Sequence, residues 1–169
     1  DESIAVTVSG LGATWTEIAN VDNTQAQGGI SAWRCSDADG STAAVTVTVT
    51  GNLAPVSVIV AELSGVNVAT TDGVEASATT AGPAVDDDDM LLSVTTVTDN
   101  AWAVGIGWCR NVVFTVPGGD TAAIQINILS GSGGTATKAH MWYQGPVSPA
   151  GATQLGDLND LSGVADWAM

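Results

Sequence analysis

Cationic side chains are nearly missing from this chain. Arg34, Arg110 and Lys138 stand against 18 Asp and Glu, giving a formal net charge of −15 over 169 residues. Binding to DNA or RNA depends on Lys and Arg replacing phosphate counterions, so nucleic acid is excluded as a partner. An anionic membrane surface is disfavoured for the same reason. Histidine occurs once, at His140, and cysteine twice, at Cys35 and Cys109. Three such residues cannot fill the four ligand positions of a structural zinc site. No apolar run reaches the roughly 18 residues of a membrane helix, so no membrane insertion is expected. The G-x-S-x-G signature of a nucleophile elbow is also missing. A catalytic triad would have to use His140, which lies in a strand-like stretch between Ala139 and Met141. A glycosidase needs two carboxylates facing each other across a cleft, whereas Glu17, Glu62 and Glu75 are scattered. The sequence therefore predicts no enzyme, no catalytic residue and no obligatory cofactor.

Charged residues make up 12% of the chain, about half the usual share. Thr, Ser, Asn, Gln and 20 glycines supply the polarity instead. Together with abundant Val, that composition favours strands and turns over helices. The most strongly patterned stretch is 43–65, AAVTVTVTGNLAPVSVIVAELSG. Val45, Val47 and Val49 alternate with Thr46, Thr48 and Thr50, as in a strand with one buried face and one wet face. After a turn at Gly51-Asn52 and Pro55, Val56, Val58 and Val60 share one face, and Ile59, Ala61 and Leu63 hold most of the other. A nearly unbroken β-branched run of this kind predicts a strand covered on both faces, or one at the centre of a sandwich.

Further strands are expected at 3–8, 13–19, 30–35, 90–97, 101–109, 112–116, 122–129, 137–143 and 164–169, with turn signals between them. In 101–109, Trp102, Val104, Ile106 and Trp108 share one face; Ala103, Gly105, Gly107 and Cys109 form a row of small residues on the other. Such a row lets another backbone or side chain come close. Leu155, Leu158 and Leu161 fall at helical spacing and suggest one short helical turn, although Gly156 and Gly163 oppose a longer helix. About ten short strands without a long helix predict one all-β domain, 1–169, an antiparallel β-sandwich of jelly-roll-like course, or alternatively an immunoglobulin-like one.

Three kinds of candidate site emerge. Asp37-Ala38-Asp39-Gly40 looks like the middle of a helical calcium loop, but Cys35 and Thr46 occupy the positions where that loop needs carboxylates. It is read as a hairpin turn, with a looser calcium site at Asp37 and Asp39 as the functional alternative. Asp86 to Asp89 are four adjacent carboxylates that either stay solvated or gather a hard cation. Only alternate members share a strand face, so two at most could bind one ion without a loop; Asp86 and Asp88 are taken as the calcium-type pair. Six tryptophans against one Phe and one Tyr raise a carbohydrate-binding reading, since surface indoles stack on sugar rings. Most of the six lie within apolar alternation, where Trp is ordinary core; Trp142-Tyr143 is the best glycan-binding pair. Cys35 and Cys109 form either one disulfide or two thiols. A bond would close a loop of roughly 75 residues, worth about 4 kcal/mol in the chain-entropy account.

The order of features, ATWTEIA, ISAWRC, VTVTVTGNLAPVSVIVAELSGV and DDDDMLLSV, resembles a loose group of β-sandwich structural domains of tailed phages and secreted bacterial surface proteins. In that group the core strand runs into a Ser-Gly-Val corner, matched here by Ser64-Gly65-Val66. An Asp-led strand follows later, like Asp88-Asp89-Met90-Leu91-Leu92. The resemblance implies a structural or adhesive role and carries no catalytic residues.

These observations converge on a non-enzymatic component of an extracellular particle, foremost a virion decoration, head-fibre or tail protein. It would work as a homo-oligomer or lattice with other structural subunits. The alternatives are a carbohydrate-binding adhesion module and a filament subunit that donates its terminal strand, DESIAVTV, to a neighbour. So acidic a surface suits a saline, extracellular setting, where salt and divalent ions screen it. The chain begins at Asp1 with neither Met nor a signal-like stretch, which is the expectation for a chain whose leader has been removed or for an excised piece.

Overall fold

The structure is a computed structural model of the whole chain. It describes residues 5–22, 28–36, 43–51, 56–67, 73–82, 90–110, 128–130, 137–157 and 167–168. Among these residues there is no helix, and every sheet pairing is antiparallel. The strands in chain order are β1 (Ala5–Gly10), β2 (Thr16–Asp22), β3 (Gly29–Arg34), β4 (Val45–Thr50), β5 (Ala81–Gly82), β6 (Met90–Thr95), β7 (Ala101–Arg110), β8 (Ile128–Ser130), β9 (Thr137–Val147), β10 (Ala152–Asp157) and β11 (Trp167–Ala168). The all-β, antiparallel class expected from the sequence is present. The strands expected at 112–116 and over most of 122–129 lie outside the described residues.

The centre of the fold is a five-stranded sheet in the order β5-β11-β7-β9-β8. Its backbone is the long β7–β9 ladder, with Gly105 opposite Trp142 and Gly107 opposite His140. Directly paired residues of an antiparallel ladder share a face. One face therefore carries Ala103, Gly105, Gly107 and Cys109 from β7 together with His140, Trp142 and Gln144 from β9. Small residues on β7 make room for the rings of β9. A Cβ built on Gly107 would lie 2.4 Å from the Trp142 ring and 3.2 Å from the Met90 sulfur. The row of small residues read from the sequence thus admits an indole.

A second ribbon, β6 with β10, closes over that face. Leu155 stands opposite Leu92, and Thr153 opposite Val94. Met90, Ala103, Cys109, Trp142 and Leu155 form the buried core cluster, with Leu92 and Val94 packed against it. The Thr153 hydroxyl donates to Gln144 Oε1 at 2.5 Å and ties the ribbon to the sheet it covers. At Gly156 (φ +132°) the two backbones of the ribbon come so close that a Cβ would fall 1.9 Å from the Met90 carbonyl oxygen, and only glycine fits. The helical turn suggested by the leucine spacing is corrected through Asp157. Leu155 and Thr153 alternate inward along a strand because that face has Trp142 and Met90 to cover. Leu158 and Leu161 lie outside the described residues.

The opposite face of β7 bears Trp102, Val104, Ile106 and Trp108. Trp108 is buried, and the turn into β3 rests on it: a Cβ on Gly28 would sit 2.4 Å from the ring. The β2–β3 hairpin thus covers one end of this face and leaves Trp102 and Val104 exposed at the other. β1 pairs with β4 in a separate ribbon, Val6 opposite Val49 and Val8 opposite Val47, with the threonines turned to solvent. The Val/Thr alternation is read correctly there.

One strong expectation is corrected. Residues 56–63 are not a strand covered on both faces: no strand is assigned, and Val56, Val58, Val60, Leu63 and Val66 are exposed. Ser57 and Ile59 turn inward and are only half-buried. Gly65 makes the expected corner, with φ +76°.

Replacing Gly107 with Ala is expected to cost about 2 kcal/mol, because the Trp142 ring must shift inside a closed core. Urea denaturation would show a lower midpoint at unchanged slope; an unchanged midpoint would mean that the ring is not seated there.

Candidate functional site

The exposed end of the β7–β9 sheet carries the most distinctive surface chemistry among the described residues. Strand alternation turns Trp102 and Val104 outward on β7, and Tyr143, opposite Val104, joins them from β9. The Trp102 and Tyr143 rings lie 5.6 Å apart at 51°, a tilted aromatic pair. Trp102 is 55% exposed, yet its ring does not float. It lies on the backbone at Gly145, where a Cβ would come within 2.9 Å of it. The indole is thereby set as a ledge against Tyr143. Chemically the ledge can stack on the apolar face of a sugar ring or receive an apolar side chain.

Two turns brace the end of the sheet beside this ledge. Thr96 donates its amide to the Gly151 carbonyl at 2.9 Å, and its hydroxyl accepts from the Gly151 amide at 3.0 Å. Asp99 Oδ1 accepts from the Ala150 amide at 2.7 Å, and the Asn100 amide donates to the Val147 carbonyl at 2.8 Å. The exposed Glu75 carboxylate accepts from the Thr98 hydroxyl, from the Thr98 amide at 3.0 Å and from the Val97 amide at 3.2 Å. The Thr98 hydroxyl first, then these amides, hold its pKa below the usual value of 4.5.

The residues singled out in the sequence are distributed as follows. Trp142, half of the expected glycan pair, is 1% exposed and belongs to the core, so that assignment is corrected. Neighbours in a strand point to opposite faces, and Trp142 and Tyr143 could not have formed one platform. Tyr143 pairs with Trp102 instead. Trp108 is buried; Trp15 donates its Nε1–H to the Gly10 carbonyl at 3.1 Å, and Trp33 to Ser31 Oγ at 2.6 Å, both in structural roles. Trp102 could have been singled out by its place at the start of the strand, next to the Asp99-Asn100 turn, where cover runs out. Cys35 and Cys109 are present as two thiols, the first half-buried and the second buried, with no bond between them. Asp37, Asp39, Asp86 and Asp88 lie outside the described residues. Among the described residues no group of three or more His, Cys, Asp or Glu could hold a metal ion. One shallow depression of about 50 Å³, lined by Val6, Asn20, Asp22, Gly29, Ile30 and Ser31, is too small for a sugar.

His140 lies in the core face, buried and stacked on Trp142 with ring centroids 4.7 Å apart and planes 4° from parallel. Burial pushes its pKa below the ordinary 6.5. Its neutral form is the one that packs. A depressed folded-state value means that the unfolded chain takes up the proton first as pH falls. The contribution of His140 to stability is therefore complete above about pH 6.5 and is lost progressively below it. Glu75 acts in the same direction, but only as pH falls below about 4.5. Denaturant titrations between pH 7 and pH 5 should show stability falling with pH, and His140→Phe, which keeps the stacked ring, should flatten that slope. An unchanged slope would move the titrating group elsewhere.

The chain matches no protein-family model, no curated protein and no solved structure.

Proposed function

We propose that this chain is a non-enzymatic structural module of an extracellular particle, foremost a virion component such as a capsid decoration, head-fibre or tail protein. In this reading its strands form a β-sandwich of jelly-roll-like course, and it works by binding further copies and other structural subunits. The observation that carries the reading is the placement of apolar side chains. Val56, Val58, Val60, Leu63 and Val66 stay outside the core, on a chain whose net charge of −15 otherwise keeps molecules apart. Exposed apolar residues gathered in one short segment mark an interaction surface. Calcium held by Asp37 and Asp39, or by Asp86 and Asp88, belongs to the same proposal, since a hard cation would relieve the repulsion. Solution mass should rise above the monomer with protein concentration and further in salt or Ca²⁺. A monomer under all of these conditions overturns the proposal.

The Trp102–Tyr143 ledge supports a second reading, a carbohydrate-binding module. Binding on a glycan array should then be lost in Trp102→Ala with the fold intact. No binding by the parent chain, or binding unaffected by Trp102→Ala, removes it. Donation of the N-terminal strand to a neighbour has less support, because Ala5–Gly10 already pairs with β4 of its own chain.

A further inference from the structure

We infer that residues 56–60 pair in antiparallel fashion with the same segment of a second copy, with Val58 next to the two-fold axis. The inference rests on the assembly reading above and names the surface it uses.

Charge selects this segment. Two copies, each at −15, repel wherever carboxylates meet, so contact is cheapest where the chain has none. Residues 40–61 form a run of the sequence free of Asp, Glu, Lys and Arg. Within it, 56–60 alternates exposed and half-buried residues, is assigned to no strand, and turns Val56, Val58 and Val60 outward, Val60 being 59% exposed. A β-branched segment of alternating burial that belongs to no strand among the described residues can add to another strand edge.

The register follows from the residues at either end. An isologous pair places residue i opposite j at a constant sum. With Val58 on the axis, Val56 faces Val60, and Ser57 faces Ile59, so the outward valines of both copies lie on one face. Moving the axis to Val60 would set Glu62 opposite Val58 and bring the two carboxylates toward each other. Moving it to Val56 would place Pro55, which has no N–H, inside the ladder.

Size sets the strength. A five-residue pairing with three exposed valines on each copy offers at most a few hundred Å² per copy, short of the roughly 800 Å² per partner of a standard interface. The pairing is therefore weak and concentration-dependent in isolation. Screening strengthens it, because the Debye length falls from roughly 8 Å at 0.15 M salt to 3 Å at 1 M. An interface built on ion pairs would respond in the opposite sense.

Sedimentation of the full chain at several concentrations in 0.15 M and 1 M NaCl, with Val58→Asp and Val58→Thr alongside, tests this. A dimer that strengthens with salt and weakens at least tenfold in Val58→Asp, with Val58→Thr between, is the expected result. Val58→Cys should give an oxidised covalent dimer that the parent chain does not give. Assembly that survives Val58→Asp, with no cross-link through the introduced thiol, overturns this surface and leaves the assembly reading standing. A parent chain that stays monomeric throughout overturns both.

Discussion

The seating of the Trp142 indole across the small-residue face of β7 is the contact on which the rest of the core depends. A ring of this size buries on the order of 200 Å², worth about 5 kcal/mol at 25 cal/mol per Å². That is comparable to the whole net stability of a typical domain, about 5–15 kcal/mol. It requires Gly107 beneath the ring, Met90 and Leu155 over it, and His140 in its neutral form beside it. The β6–β10 ribbon packs on this face through Leu92, Val94 and Leu155, and the bond from Thr153 to Gln144 ties it there.

The two faces of the β7–β9 sheet divide the work. One is sealed by the ribbon; the other is only partly covered by the β2–β3 hairpin and ends in a braced aromatic ledge. Bracing comes from side chains that satisfy backbone groups in the adjoining turns, at Thr96, Asp99 and Glu75. These bonds fix the turns without adding any positive charge, which a chain with three cationic residues could not readily supply.

The class of fold was legible in the sequence because alternation has a period that no helix shares. The Val/Thr stretch of β4 and the two-faced pattern of β7 are read correctly, down to the role of the small residues. Residues 56–63 were not, and the reason is physical. A nearly unbroken apolar run states that both faces avoid water, but not whether the second face is covered by this chain or by another molecule. The Trp142-Tyr143 pair failed differently: nearness in sequence was taken for nearness on a surface, and a strand separates neighbours by half a turn. Leu155 fell at helical spacing by coincidence, and its alternation with Thr153 was visible only once a partner strand was known. Trp102, the exposed indole, was legible in principle from its place at a strand start.

The ribbon over the core also constrains the order in which the chain can fold. β6 and β10 are joined across the whole of β7 and β9, with Thr95 opposite Ala152. Met90 and Leu155 therefore cannot close over Trp142 until β10 has been synthesised. Such distant pairings make folding slow relative to chains dominated by local contacts. During synthesis the half-built sheet would hold its tryptophan face open, with the carboxylates of the chain to keep nascent copies apart.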